Sequence, residues 1–404
     1  MFLNEYPDKI PFDALKYLTG ECNYGGRVTD DKDRRLILCI MDGYYTDKIF
    51  DDNYKFSSSG IFFAPKTGKY EAYIDYIKTL PVSPLPEVFG LHENADITKD
   101  RNETLEMFIS ILSTQSNEGG GEAISIEDTV VEVATKILDD FPEPFDVLAA
   151  EKKYPVSYEQ SMNTVLTQEL QRFNGLVTVI RSSLSDLKKA IAGEILLSSE
   201  LETAMNSLFD GRVPELWMKQ SFPSLKPLGG YVIDTKQRLA YFQKWMDEGI
   251  PQLFHISKFF FTQGFLTGAK QNYARKTHIP IDELEFDFEV IQDKNPVAPI
   301  DGINIIGLYL EGCRWNEEAR ILDESRPKIL FEKCPIIWLN PGKTKDMKQF
   351  PHYNCPVYKT SARRGTLSTT GHSTNFVMLI KLPSDQPQAY WIRRGVALLT
   401  QLDD

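Results

Sequence analysis

The chain has 404 residues, 42% hydrophobic and 25% charged, which are ordinary globular proportions at a length where two or three domains are expected. Its net charge of −12 is uneven: residues 1–150 carry 14 basic and 28 acidic side chains (−14), and residues 151–404 carry 31 and 29 (+2). An acidic first part repels phosphate backbones and anionic lipid, so neither nucleic acid nor a membrane surface is a favoured partner.

In chain order, MFLNEYPDKIPFD lacks a basic stretch followed by an apolar run, so no secretory signal is expected. Short helices are predicted over 11–18, 31–44, 70–79 and 104–114, separated by PVSPLPE at 81–87 and NEGGGE at 117–122, because clustered Pro and Gly end helices. A domain boundary is placed between that glycine run and FPEPF at 141–145. The strongest periodic signal comes next: Met162, Leu166, Leu170, Phe173, Val177, Ile180, Leu184, Leu187 and Ile191 recur with a mean step of about 3.6, one long helix that Gly193 ends or bends. A second helix is expected over 257–276, apolar nearly all round, with Gly264 and Gly268 on one face permitting close approach of another element. Its apolar surroundings, 253–269, are broken by His255, Lys258 and Gln263, too polar for a membrane span.

After Pro280 the period changes from 3.6 to 2, since Leu284, Phe286, Phe288 and Val290 alternate with acidic residues. Further strands are expected at 303–310, 335–339, 355–360, 376–382 and 391–399, and six short strands with Pro- and Gly-containing turns suggest an antiparallel sheet curled into a partial barrel. The fold class is therefore α+β.

Motifs that would carry chemistry are incomplete. Pro341-Gly342-Lys343-Thr344 resembles the end of a phosphate loop, but the required earlier Gly is Ile337, so a surface turn is expected. Gly371 to Asn375 resembles a nucleophile elbow around Ser373. Its fifth residue is Asn and a strand follows, which fits a turn whose Ser, Thr and Asn side chains satisfy nearby backbone groups. Five cysteines without C-x-x-C spacing fit neither a zinc site nor a disulfide framework and suggest a reducing compartment; the five histidines show no ligand spacing, so no metal is expected. Asp30-Asp31 and Glu317-Glu318 read as solvated faces. The pairs Arg363-Arg364 and Arg393-Arg394 could meet on one surface facing acidic partners, or be an unremarkable solvent-facing patch.

Several long strings, taken together, resemble the C-terminal region of dynein heavy chains, the axonemal branch in particular: ALKYLTGECNYGGRVTDDKDRR, FGLHENADI, WMKQSFPSLKPLGGYV, FFFTQGFLTGAKQNYARK, GLYLEGCRW, and CPVYKTSARRGTLSTTGHSTNFV through to WIRRGVALLTQL. The resemblance implies that residues 1–120 are the small helical subdomain of the sixth AAA+ module. Residues 121–279 would be the helical part of the dynein C-terminal domain, and 280–404 its antiparallel incomplete β-barrel. It implies a non-catalytic part of an ATP-driven, minus-end-directed microtubule motor of the cilium or flagellum axoneme, in the cytoplasm and cytoskeleton. ATP and Mg would be bound by other modules, and microtubules gripped by parts absent here.

Partners would be the other AAA+ modules of the same heavy chain, with intermediate and light chains and axonemal proteins in the parent complex. Gly25-Gly26-Arg27 sits where such subdomains carry a second sensor arginine; in a module resembling one without nucleotide, Arg27 is expected to make a structural ion pair. Trp217, Phe222, Leu225 and Leu228, dense in a Pro- and Gly-rich connector, are candidates to pin the helical and barrel parts together so that the whole braces the ring. Two alternatives stand beside this: an adaptor docking axonemal proteins through the acidic first part, and an independent hydrolase using Gly342–Thr344 or Ser373.

Overall fold

The computed structural model describes residues 9–57, 59–83, 85–114, 125–293, 295–347, 349–363, 365 and 373–403. The glycine run at 117–122, Arg364 and the Gly371-His372 half of the elbow-like motif lie outside the described residues.

The N-terminal part is a set of short helices. Phe12–Tyr17 (α1) runs into a π-helical turn over Leu18–Asn23, followed by Asp31–Met41 (α2), Tyr70–Thr79 (α3) and Asn94–Thr114 (α4). Helix α2 begins where it does because the Asp30 carboxylate accepts the Lys32 N–H at 2.8 Å, an N-cap that satisfies one of the free donors of the first turn. Met41 and Phe62 are the buried hydrophobic side chains described before residue 126, and neither belongs to the main core. This part is too thin to hold itself together by burial and leans on the rest of the molecule.

Helices Ile126–Asp140 (α5), Val147–Lys153 (α6), Ser161–Ile191 (α7), Ser199–Phe209 (α8), Glu215–Met218 (α9), Leu228–Glu248 (α10) and Thr262–Thr277 (α11) form the middle. The 31-residue α7 would extend roughly 45 Å at ~1.5 Å per residue. Its stripe from Met162 to Leu187 is buried against α5, α6, α8 and α11. It stops at Gly193, in the left-handed region at φ 77°, where the Glu194 N–H returns to Lys189 O at 2.9 Å. Gly268 of α11 lies against α7: a Cβ there would sit 2.7 Å from Val165 Cγ2, so the two helices close on a missing side chain. At Gly264 the near neighbour is Phe261, at the start of the same helix.

The β-rich part departs from a six-stranded antiparallel barrel. The described residues form eleven strands: Leu253–His255 (β1), Leu284–Ile291 (β2), Ile303–Ile306 (β3), Tyr309–Glu311 (β4), Cys313–Asn316 (β5), Ile321–Glu324 (β6), Phe331–Lys333 (β7), Ile336–Lys343 (β8), His352–Tyr358 (β9), Phe376–Pro383 (β10) and Ala397–Leu399 (β11). They make three open sheets, ordered β1-β3-β8-β2, β10-β9-β11-β4-β7 and β5-β6, with parallel pairs β1–β3 and β11–β9. No closed barrel is formed among them.

Both parallel pairs involve three-residue strands delivered from outside the run of hairpins, so nothing in their own sequence fixes their direction. The stretch expected to be one strand over 391–399 is Gln388–Arg393 (α12), a turn at Gly395 (φ 68°), and then β11. The phosphate-loop-like residues are not a surface turn: Pro341-Gly342-Lys343 end β8, paired with Phe286, Glu285 and Leu284. One hydrophobic core runs from Val130 to Leu398 and takes in both the helices and the strands, so the middle and the β-rich part share an interior.

Candidate functional site: a seam and a buried charge cluster

Residues from the thin N-terminal part are fastened to the β-rich part by polar contacts along one seam. Arg35 of α2 donates to the Tyr353 hydroxyl (3.2 Å) and to Asn354 O (3.4 Å). Tyr353 is fully buried and its hydroxyl donates to Val396 O at 2.9 Å, so the ring is locked between α2 and the start of β11. Arg393, at the end of α12, donates to Cys39 O at 3.1 Å. That carbonyl lies in the last turn of α2, where carbonyls lack helical partners and a cation is favoured by the helix dipole. Gly90 (φ 79°) makes room for this arginine, since a Cβ there would fall 2.4 Å from Arg393 Cδ.

Asn94, buried at the head of α4, spends its whole amide on the turn after β6. Its Nδ2 donates to Arg326 O and Ile329 O, both at 2.9 Å, and its Oδ1 accepts the Lys328 N–H at 2.7 Å. Asp30, besides capping α2, accepts the Ser373 N–H at 2.9 Å. It is a tie across the seam rather than part of a solvated face, unlike the exposed Glu317 and Glu318. Lys32 sits 4.9 Å from the Phe376 ring.

The second feature is a buried charge cluster joining five segments. Arg238 of α10 donates through Nε to Asp234 (2.7 Å), through Nη1 to Phe259 O (3.4 Å) and through Nη2 to Gln401 Oε1 (3.2 Å), and its guanidinium lies 3.8 Å from the Phe222 ring centroid. Lys258 also pairs with Asp234, at 3.2 Å. Glu169 of α7 accepts the Phe260 N–H and, at 3.0 Å, the Phe261 N–H, which holds the entry to α11 against the long helix. Burial pushes the Glu169 carboxyl up to about 7; the two backbone donors, Arg172 and Arg238 pull the other way without overcoming it. Burial also raises Asp234, but Arg238 and Lys258 more than compensate and hold it below its ordinary value. Buried charges of this kind persist only when paired and hydrogen-bonded, and here each is.

The residues singled out from sequence fall in several places. Trp217 is fully buried, its indole N–H donating to Ser183 Oγ of α7 at 2.8 Å. Phe222 stacks on Tyr231 of α10 with centroids 5.6 Å apart. Leu228 is buried as the first residue of α10 rather than in a loop, and Leu225 is 49% exposed, outside the core. The three buried residues join the connector to α7 and α10. Arg27 is exposed and makes no ion pair among the described residues. Its backbone N–H is held by Tyr24 O at 2.8 Å, and the pair at this corner is Arg34–Glu21 at 3.3 Å.

Arg363 pairs with Glu311 and donates to Gly395 O at 2.8 Å, so it does reach the 393–395 segment. Arg393 and Arg394 turn to separate acceptors, Cys39 O and Glu324 (2.6 Å), and among the described residues these arginines form no single basic patch. Ser373 is buried: its hydroxyl donates to Arg363 O (3.3 Å) and accepts the Asn375 N–H (3.1 Å), while Asn375 accepts the Thr360 N–H (3.1 Å). These side chains satisfy backbone groups of a turn. Burial raises the thiols of Cys313, Cys334 and Cys355, which keeps them protonated and poorly nucleophilic. Sequence reasoning missed Arg35, Asn94, Arg238 and Glu169. The first two lie inside or beside strings that carried the family resemblance.

Two family models match the sequence: the AAA lid domain of dynein heavy chains over residues 1–95, and the C-terminal domain of dynein heavy chains over residues 101–400. Among curated proteins, dynein axonemal heavy chain 3 of Homo sapiens is 55% identical across all of this protein, dynein axonemal heavy chain 12 of Homo sapiens 53%, and dynein axonemal heavy chain 1 of Rattus norvegicus 48%. The matched region is 10%, 13% and 9% of these relatives, so the protein spans about a tenth of their length.

Proposed function

The chain belongs to the dynein heavy chain family, and from that premise we propose that it is a non-catalytic brace within an ATP-driven, minus-end-directed microtubule motor of the cilium or flagellum axoneme. The reading divides it into a small lid subdomain of the sixth AAA+ module (1–120), a helical part of the C-terminal domain (121–279) and a β-rich part (280–404). ATP and Mg are bound and turned over by other modules, with which this chain shares its working surfaces. Microtubules are engaged by parts outside it, and intermediate or light chains belong to the parent complex.

The observation that carries the reading is the seam. A lid with almost no core of its own is tied by Arg35, Asn94, Asp30 and Arg393 to a body whose helices and strands share one close-packed interior. Such an interior has low compressibility, so a displacement of the lid is passed on as a displacement of the body. The incomplete phosphate-loop residues lying in a β-ladder, and Ser373 being engaged by backbone groups, favour the brace over an independent hydrolase. Calorimetric titration of the protein with ATP and Mg is expected to give no saturable heat. Deleting residues 141–404 from the parent motor is expected to change force or run length while leaving substantial ATP hydrolysis. Saturable binding, or complete loss of turnover on deletion, would replace the brace with a catalytic role. Specific capture of axonemal proteins by the whole chain, lost when acidic side chains within residues 1–140 are neutralised, would favour the adaptor.

A further inference from the structure

The seam and the buried charge cluster are joined by one short piece of backbone, residues 393–401. At one end Arg393 is bonded to Cys39 O of α2. Gly395 O and Val396 O then accept Arg363 and the Tyr353 hydroxyl, and that same hydroxyl receives Arg35 of α2. Strand β11 follows, only three residues long yet central in its sheet, antiparallel to β4 on one side and parallel to β9 on the other. Thr400 continues the pairing: its N–H donates to Tyr358 O (2.9 Å) and its hydroxyl to Lys359 O (3.1 Å). At the other end the Gln401 amide is used on both sides, Oε1 accepting from Arg238 and Nε2 donating to Pro223 O of the connector. Gln401 is buried.

Paired on both sides and wholly buried, β11 keeps its register, so a displacement at one end is carried along it rather than absorbed. One end is fixed to the seam and the other to the charge cluster. We propose that residues 393–401 form a tie rod, with Gln401 as its inner anchor, through which the position of α2 and the packing around Arg238 are coupled. The inference rests on the brace reading and adds a route and a positioning residue to it. Loss of the Gln401 anchor releases the inner end of β11, and small displacements there are carried to its other end. The carbonyls of Gly395 and Val396 then move with it, and the Tyr353–Arg35 contact with α2 loosens, although Gln401 itself bonds only to Arg238 and Pro223 among the described residues.

Native-state hydrogen exchange on the 404-residue chain tests this with Gln401→Ala, Arg35→Ala and the double variant. Gln401→Ala is expected to speed exchange of the α2 amides by about threefold or more while leaving the centre of α7 unchanged, with the double variant little faster than Arg35→Ala alone. If Gln401→Ala affects only residues 397–403 and the connector, or speeds α7 equally, the tie rod is wrong. If Arg35→Ala also leaves α2 unchanged, the seam on which the brace depends fails as well. If Arg35→Ala frees α2 and Gln401→Ala does not, the seam stands and only the tie rod falls.

Discussion

Glu169→Gln isolates the buried charge cluster by its pH dependence. A carboxyl raised by burial from 4.5 to about 7 binds its proton more tightly in the folded protein than in the unfolded one. The stabilisation from that protonated form is fully present below 4.5 and is lost as pH rises through about 7. At about 1.4 kcal/mol per tenfold in proton affinity, the loss across this window is about 3 kcal/mol. Glu169 is 1% exposed, so solvent screening takes little from this figure. The charges facing it are Arg172 on its own helix and Arg238 on α10. Asp234, held below its ordinary value, runs the other way but loses its contribution only as pH falls through the acid range. Urea unfolding of the parent protein and of Glu169→Gln at pH 5, 6, 7 and 8 makes the comparison. Groups common to both proteins cancel, so the unsubstituted protein should lose about 2–3 kcal/mol more than the variant between pH 5 and pH 8. Parallel pH profiles would refute the assignment of a desolvated, weakly compensated carboxyl to Glu169.

Trp217→Ala should cost about 3–5 kcal/mol in unfolding free energy, because it empties a fully buried site and removes the donor to Ser183 Oγ. Leu225→Asp should change stability by no more than about 0.5 kcal/mol, since half of that side chain already meets solvent; a large loss would mean that the connector packs differently. Gly268→Val should destabilise by about 1–3 kcal/mol through overpacking against Val165 and Met162, read as a lower urea midpoint with unchanged slope.

The parts of this fold legible in the sequence are those in which burial and chemistry agree. In α7 nearly every apolar residue at helical spacing is buried, so its period is unbroken, and in β2 the alternation with Glu and Asp is plain. Helix α10 has the same period in its burial, through Tyr231, Asp234, Thr235, Arg238, Leu239, Phe242 and Trp245. Asp234 and Arg238 are polar because the charge cluster occupies them, and Thr235 bonds back to Tyr231 O, so the apolar stripe is interrupted where the helix is most constrained. The run at 391–399 looked like one strand because its ends are apolar. The signal overlooked was Gly395, which ends α12 with the Val396 N–H returning to Trp391 O at 3.1 Å.

Sheet direction was illegible for a different reason. β1 and β11 are short segments whose partners are set by where the helices deliver them, and no local pattern distinguishes parallel from antiparallel pairing in three residues. The seam was invisible in the same way, since Arg35 and Asn94 find their partners more than 200 residues away, and an arginine on a helix or an asparagine at its head has an ordinary local explanation. The family resemblance implied helices followed by a β-rich part, and the contacts across the seam join residues too distant in sequence for any local pattern to show.

The central claim is that the lid is fastened to the C-terminal body and that force passes through this fastening without chemistry. Stall force and basal ATP turnover, measured side by side on the parent motor carrying Arg35→Ala together with Asn94→Ala, test it most directly. Lower force at near-normal turnover is the expected result, whereas unchanged force, or turnover falling in step with force, would contradict it.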